Sequence, residues 1–234
     1  MMKLFIANKN YSSWSLRPWL LMRVLAIPFE EVLEPFGADG FDTERRFKRF
    51  SPSAKVPCLH DREQRIWDSL AIMEYLAERY STVWPTDWQA RIWARSAAAE
   101  MHSGFDALRA QCSMTCGQRV TLMEITPELA RDLARLNELW CEGLERFAGP
   151  FLAGRFFTGV DAFYAPVAFR LQSYGLTLSE AADAYRDRLL ALPAMQEWYQ
   201  AALQEPWREA THERAITLKA KHVIDLRQTM SHSE

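Results

Sequence analysis

Leu4-Phe5-Ile6-Ala7-Asn8-Lys9-Asn10-Tyr11-Ser12-Ser13-Trp14-Ser15-Leu16-Arg17 is the stretch that decides the fold of this chain. A short apolar strand leads into a knot of hydroxyls, and a helical pattern begins near Leu16. Strand, polar elbow and helix start gather serine side chains and free backbone N–H groups at the positive end of a helix dipole, a seat suited to a thiolate or another small anion. The simpler alternative is that Ser13 or Ser15 caps the helix and Ser12 is a solvated loop residue.

Outward from the elbow the periodicities alternate. Lys3 to Ala7 reads as a strand, Ser15 to Ala26 as a helix, Glu30 to Leu33 as a strand, Thr43 to Phe50 as a charged helix and Val56 to Leu59 as a strand. Asp61-Arg62-Glu63-Gln64 turns the chain into Arg65-Ile66-Trp67 as a hairpin, and Ser69 to Tyr80 is a helix. The predicted order is βαβαββα. Ser81-Thr82-Val83-Trp84-Pro85-Thr86-Asp87 breaks both periodicities and reads as a linker.

Beyond the linker the pattern is helical. Long helices are expected from Asp87 to Gly117, one of them running through Glu100 to Arg109. Leu129, Leu133, Leu136, Trp140, Leu144 and Phe147 line one face of another, which Thr126-Pro127 starts. Thr158-Gly159-Val160-Asp161 has the form of a capping box, and Pro166 is expected to bend the helix that follows or mark a change within it. Shorter helices are expected over 179–192 and 194–204. The expected organisation is therefore an α/β unit over 1–82, an all-helical bundle over 88–210, and a weakly patterned C-terminal tail over 211–234.

The 234 residues, 49% of them hydrophobic, are enough for a sizeable core. A net charge of −2 with interspersed signs offers no basic stripe, so nucleic acid is not an expected partner. The first residues do not form a secretory signal and no stretch approaches a membrane span, which leads to an expected cytoplasmic location. The four cysteines, Cys58, Cys112, Cys116 and Cys141, have no zinc-type spacing and read as free thiols; no metal is expected. Cys112 and Cys116, four apart on the expected helix, would share a face.

Two further segments carry chemistry. In Ser53-Ala54-Lys55-Val56-Pro57-Cys58-Leu59, a proline opens a strand; a cis Val56-Pro57 bond would turn the Val56 backbone toward a ligand, although a trans bond is the ordinary state. In Trp67-Asp68-Ser69 a strand ends at a helix start, offering a carboxylate for an ammonium group and a hydroxyl with free N–H groups for a carboxylate. Together these complement an α-amino acid head group. A capped helix is the other reading. Arg17, in a first helical turn where a cation gains nothing from the dipole, points to a salt bridge or a ligand contact, with a structural bridge the expected one.

These residues resemble the glutathione S-transferase superfamily: Tyr11-Ser12-Ser13-Trp14-Ser15-Leu16-Arg17, Lys55-Val56-Pro57, Trp67-Asp68-Ser69-Leu70-Ala71-Ile72-Met73-Glu74-Tyr75-Leu76, and Phe157-Thr158-Gly159-Val160-Asp161 in the helical half. The resemblance implies a thioredoxin-like N-terminal domain, a helical C-terminal domain, a cis Pro57, glutathione as co-substrate and a homodimer. It places the thiol at Ser12 or Ser13, the cysteinyl backbone on Val56, the γ-glutamyl head on Asp68 and Ser69, and the glycine carboxylate near Lys55. The serine pair looks most like the serine-type, zeta-like branches; Trp14 stands where the zeta pattern has Cys. Aligning the first serine of that pair favours Ser12, which is the expected sulfur contact, and counting back from Arg17 favours Ser13. The second substrate is expected against His102, Phe105 and Arg109, with Cys112 on the same helical face. The implied activity is attack of the glutathione thiolate on a small electrophile in detoxification; glutathione-dependent isomerisation or dehalogenation, and a non-catalytic binding role, are the alternatives.

Overall fold

The computed structural model describes residues 1–37 and 39–227. The first seven elements are β1 (Met2–Ile6), α1 (Ser13–Val24), β2 (Phe29–Leu33), α2 (Gly40–Phe47), β3 (Cys58–Asp61), β4 (Gln64–Trp67) and α3 (Ser69–Ala77), the βαβαββα order expected. The sheet runs β2-β1-β3-β4. β2 is parallel to β1, and β3 and β4 follow antiparallel, so this is a mixed four-stranded sheet of thioredoxin-like form.

Alternation along β1 shows why the sheet is covered on both faces. Met2, Leu4 and Ile6 enter the main core with Leu16, Leu20, Ile72 and Leu76. Phe5 points the other way and stacks on Phe50 at 4.5 Å, in a smaller cluster with Ala7, Phe47 and Cys58. α1 and α3 close one face, and the α2 segment closes the other.

After an irregular segment come α4 (Trp88–Ser103), α5 (Asp106–Gln111), β5 (Gln118–Leu122), α6 (Pro127–Arg146), α7 (Gly159–Tyr174), α8 (Glu180–Leu190), α9 (Pro193–Gln204), α10 (Ala210–Thr217) and β6 (Ala220–Asp225). α7 is the axis of this half: nearly every residue in it is buried, as a helix apolar on all sides must be. Its start is the expected capping box, with the Thr158 N–H donating to Asp161 Oδ2 at 2.9 Å. Asp161 also accepts from Leu152 N–H at 3.0 Å and Tyr185 Oη at 2.8 Å. The helix is unbroken through Pro166. None of the described helices is long and apolar enough to cross a membrane.

Two expectations are corrected. The span from Asp87 to Gly117 holds two helices, and the run from Glu100 to Arg109, expected to be one helix, is parted at Gly104 and at Phe105, whose φ of +59° lies in the left-handed region. Arg109 from α5 donates Nε to the Gly104 carbonyl at 2.9 Å and Nη2 to the Met101 carbonyl, satisfying the end of α4 that the break exposes. Cys112 and Cys116 consequently lie beyond α5 and share no helical face. The weakly patterned C-terminal segment holds α10, which packs near the elbow, and β6, which pairs antiparallel with β5; the periodicity reading assigned neither strand. Residues 228–234 of the expected tail lie outside the described residues.

Candidate functional site

α1 starts at the elbow with Ser12 in the N-cap position, but no side chain caps it. Ser12 Oγ instead donates to Ser15 Oγ at 2.7 Å, and Ser15 Oγ accepts from the Ala7 N–H at 3.3 Å. Ser13 Oγ accepts from Nη2 of Arg170, a residue of α7, at 3.4 Å. The two hydroxyls expected to compete for one role thus differ: the Ser12 proton is engaged within the elbow, whereas the Ser13 oxygen accepts from a cation and its proton stays available.

Tyr11 is turned away from such a role. Its hydroxyl donates to Glu213 and accepts from Arg227 Nη1 at 2.7 Å. Burial, with the Glu213 hydrogen bond, raises its pKa to about 12. Its ring stacks on His212 of α10 at 5.1 Å.

Ser12 and Ser13 line a cavity of about 400 Å³ together with Tyr11, Trp14, Phe36, Phe47, Lys55, Val56, Arg109, Met114, Arg170 and His212. A second hollow of similar size, about 410 Å³, is lined by Trp14, Ser53, Lys55, Val56, Pro57, Trp67, Asp68 and Ser69. They share Trp14, Lys55 and Val56. The Val56–Pro57 bond is cis, and among the described residues neither the N–H nor the C=O of Val56 has a hydrogen-bond partner within the protein. A free peptide edge therefore borders both hollows.

At the far hollow, Asp68 ends β4 with φ +75° and caps α3, its Oδ1 accepting from Leu70 N–H at 2.8 Å and Ala71 N–H at 3.3 Å. That backbone conformation costs an L-residue about 1–3 kcal/mol, which the two capping bonds offset. Oδ2 lies 3.5 Å from His102 Nε2. Ser69 is buried and accepts from Arg17 Nη1 at 3.2 Å.

The expected salt bridge of Arg17 is absent among the described residues. Its guanidinium is buried over the rings of Trp14 (4.2 Å) and Phe163 (4.7 Å), lies 3.5 Å from His102 Nδ1, and leaves Nε without a partner among the described residues. Burial, then Arg109 and Arg170, hold its pKa well below the usual arginine range, with Asp68 opposing. Burial also lowers Arg170 to about 10, with Arg109 adding to the fall. Trp14 lies between Arg17 and Arg109, the latter 4.9 Å from its ring centroid.

The three residues expected to line a second-substrate pocket separate. Arg109 borders the elbow cavity. Phe105 is buried at the α4–α5 junction against Tyr164. His102 sits by Asp68, Arg17 and Trp14, toward the other hollow, and burial lowers its pKa, favouring the neutral ring. Arg170 and His212 are cavity residues the sequence reading missed. Arg170 had a signal, a lone cation within the apolar run from Ala162 to Leu171; His212 had none. Cys112 and Cys116 are buried free thiols pushed well above the ordinary thiol range by desolvation, Cys112 to about 12. Among the described residues no group of three or more His, Cys, Asp or Glu is placed to hold a metal ion.

Residues 11–79, which span the elbow, Val56-Pro57 and Asp68-Ser69, match the family described as glutathione S-transferase, N-terminal domain. No curated protein sequence is significantly similar to this chain. Among solved structures, an unclassified glutathione S-transferase from Bombyx mori is 20% identical, with 94% of this chain and 99% of that one covered and a TM-score of 0.68. A tau-class enzyme from mango, Mangifera indica, is 19% identical over 93% of this chain and 96% of that one, with a TM-score of 0.66. A glutathione transferase homologue from Burkholderia, solved with bound glutathione, is 19% identical over 86% and 97%, with a TM-score of 0.63. At these identities the likeness is one of fold.

Proposed function

We propose that this chain belongs to the glutathione S-transferase superfamily, binds glutathione across the two hollows and activates its thiol for attack on a small electrophile. The observation that carries the reading is the Ser13 hydroxyl, accepting from a buried guanidinium and bordering the elbow cavity. A free thiol of pKa ~8.5 is only a few per cent ionised at neutral pH, and lowering that value by about two units takes roughly 2.7 kcal/mol. A charge-polarised hydroxyl and an uncapped helix start supply stabilisation of that size.

Ser13 donates to the sulfur in this reading, and Ser12 holds the elbow in shape through Ser15. The unpaired N–H and C=O of Val56 hold the cysteinyl backbone, with Pro57 fixing that edge. Ser69 and the N-terminus of α3 take the γ-glutamyl carboxylate, Asp68 takes the ammonium, and Lys55 takes the glycine carboxylate. The serine oxygen forms no bond to substrate, because glutathione brings its own nucleophile.

Two copies associating as a homodimer is part of the proposal: Trp88 and Ile92, one helical turn apart on α4, stand exposed at 61% and 56%. Equilibrium sedimentation tests that part. For the activity, calorimetry with glutathione and chloride release from chlorodinitrobenzene are the measurements. Absence of both binding and turnover would remove the transferase reading and leave a non-catalytic scaffold.

A further inference from the structure

We infer that the electrophile taken by the elbow cavity carries a carboxylate, received by Arg109 and Ser113; this rests on the transferase reading above. Arg17, Arg109 and Arg170 crowd around Trp14 and Ser13, and among the described residues none of them forms an ion pair. Asp106 and Asp132 lie close enough to favour the charge on Arg109, yet neither bonds to it. Among the described residues the elbow cavity is lined by three cations, Lys55, Arg109 and Arg170, and by no carboxylate. Glutathione as placed above sets its thiolate at Ser13, its glycine carboxylate at Lys55 and its γ-glutamyl head at Asp68 and Ser69, so none of its anionic groups bonds to Arg109. A partly buried guanidinium with a free N–H is a ready partner for an anion on the second substrate.

The donors are also in place. Arg109 uses Nε and Nη2 on the Gly104 and Met101 carbonyls, which leaves Nη1 without a protein partner among the described residues, on a side chain that borders the cavity. Ser113 borders the same cavity, and its hydroxyl is likewise unpartnered among the described residues. Arg170 has all three nitrogens engaged, on Cys112, Pro166 and Ser13, and contributes its field rather than a free donor. Phe36, Phe47 and Met114 supply apolar wall, so the fitting molecule is small, with an apolar body and an oxyanion at one end.

The test uses the full chain and two unreactive probes of one shape, nitrobenzoate and nitrobenzamide, titrated by calorimetry with and without S-methylglutathione. Nitrobenzoate is expected to bind ~10-fold or more tightly. Arg109→Gln should bring the ratio near one, with Arg109→Lys restoring part of it. Because Arg109 also closes the end of α4, Ser113→Ala serves as the milder variant, with the preference expected to fall about threefold. Equal affinities, or a preference unchanged in both Arg109→Gln and Ser113→Ala, would overturn the inference. Turnover is followed with chloronitrobenzoate and chloronitrobenzamide, each rate divided by its uncatalysed one. Sulfur bonds to the chlorine-bearing carbon, the C–Cl bond breaks, and chloride leaves with the electron pair. If S-methylglutathione fails to bind and neither chloroarene reacts, the transferase reading fails, while the nitrobenzoate preference still decides whether the anion seat exists.

Discussion

Arg170 on α7 reaches 3.4 Å across the cleft to donate to the hydroxyl of Ser13 at the start of α1, joining the two halves of the fold at the proposed reaction centre. The bond separates Ser13 from Ser12, whose proton goes to Ser15. Ser13→Ala is expected to raise the pH at which bound glutathione ionises by about one unit and to lower kcat/KM at neutral pH about tenfold. Ser12→Ala should shift that pH less. Ultraviolet titration of the bound thiolate measures both; a larger shift for Ser12→Ala than for Ser13→Ala would return the role to Ser12.

Arg227 anchors the C-terminal segment. Its side chain is almost wholly buried and bonds Glu213 at 2.6 Å, Asp225 Oδ1 at 2.8 Å and the Tyr11 hydroxyl at 2.7 Å. Arg227→Ala should cost about 2–4 kcal/mol, because it strands Glu213 and Tyr11 without a cation. Gly117→Ala should act in the same direction, since a Cβ there would run into Arg227 Cγ. Both variants are expected to raise KM for the electrophile as well, because α10 carries His212 into the cavity wall. Urea unfolding and steady-state kinetics read the two effects.

Glu205 gives stability a pH dependence. It is buried, and its two oxygens accept from the Lys9 N–H at 2.5 Å and the Asn10 N–H at 3.1 Å. Desolvation outweighs those donors and raises its pKa from 4.5 to about 7. A folded-state value above the unfolded one means that the native state binds more protons between them, so this contribution is complete below pH 4.5 and is lost as pH rises toward 7. In Glu205→Gln that decline should flatten. Urea midpoints collected across the window decide it; identical slopes in the two proteins would be the contrary result.

Gly159 opens α7 beneath Trp84. A Cβ at this position would lie 2.8–3.2 Å from three atoms of the buried indole ring. A rigid ring cannot yield as a flexible chain end would, so Gly159→Ala should destabilise by about 1–3 kcal/mol, seen as a lowered Tm. No change in Tm would mean that the linker around Trp84 moves freely.

Local signals made the α/β half legible. The alternation of β1, the prolines and the Asp68-Ser69 helix start each follow from neighbouring residues, and the capping box at Thr158 does too. Element ends slipped by two or three residues where side chains on the next turn decide the boundary, as at α2. The break at Gly104 and Phe105 was not legible, because its stabiliser, Arg109, acts on carbonyls five and eight residues earlier. Nor were β5 and β6: each is short and half exposed, and each exists by pairing with a partner about a hundred residues distant. The same holds for the site. Ser12, Ser13, Lys55, Val56, Asp68 and Ser69 are read from nearby motifs, whereas Arg170 and His212 reach the cavity only through tertiary packing.

The hydroxyl and the guanidinium at the elbow are borne by separate layers, α1 on the sheet and α7 in the helical half, which pack directly against each other. Electrostatic attraction falls with separation, so sliding one layer over the other by an ångström changes how readily the sulfur gives up its proton. Acidity at the elbow is therefore a gauge of layer docking. A substitution deep in the α1–α7 seam, with no atom near the substrate, should register as a displaced pH profile before it registers as unfolding.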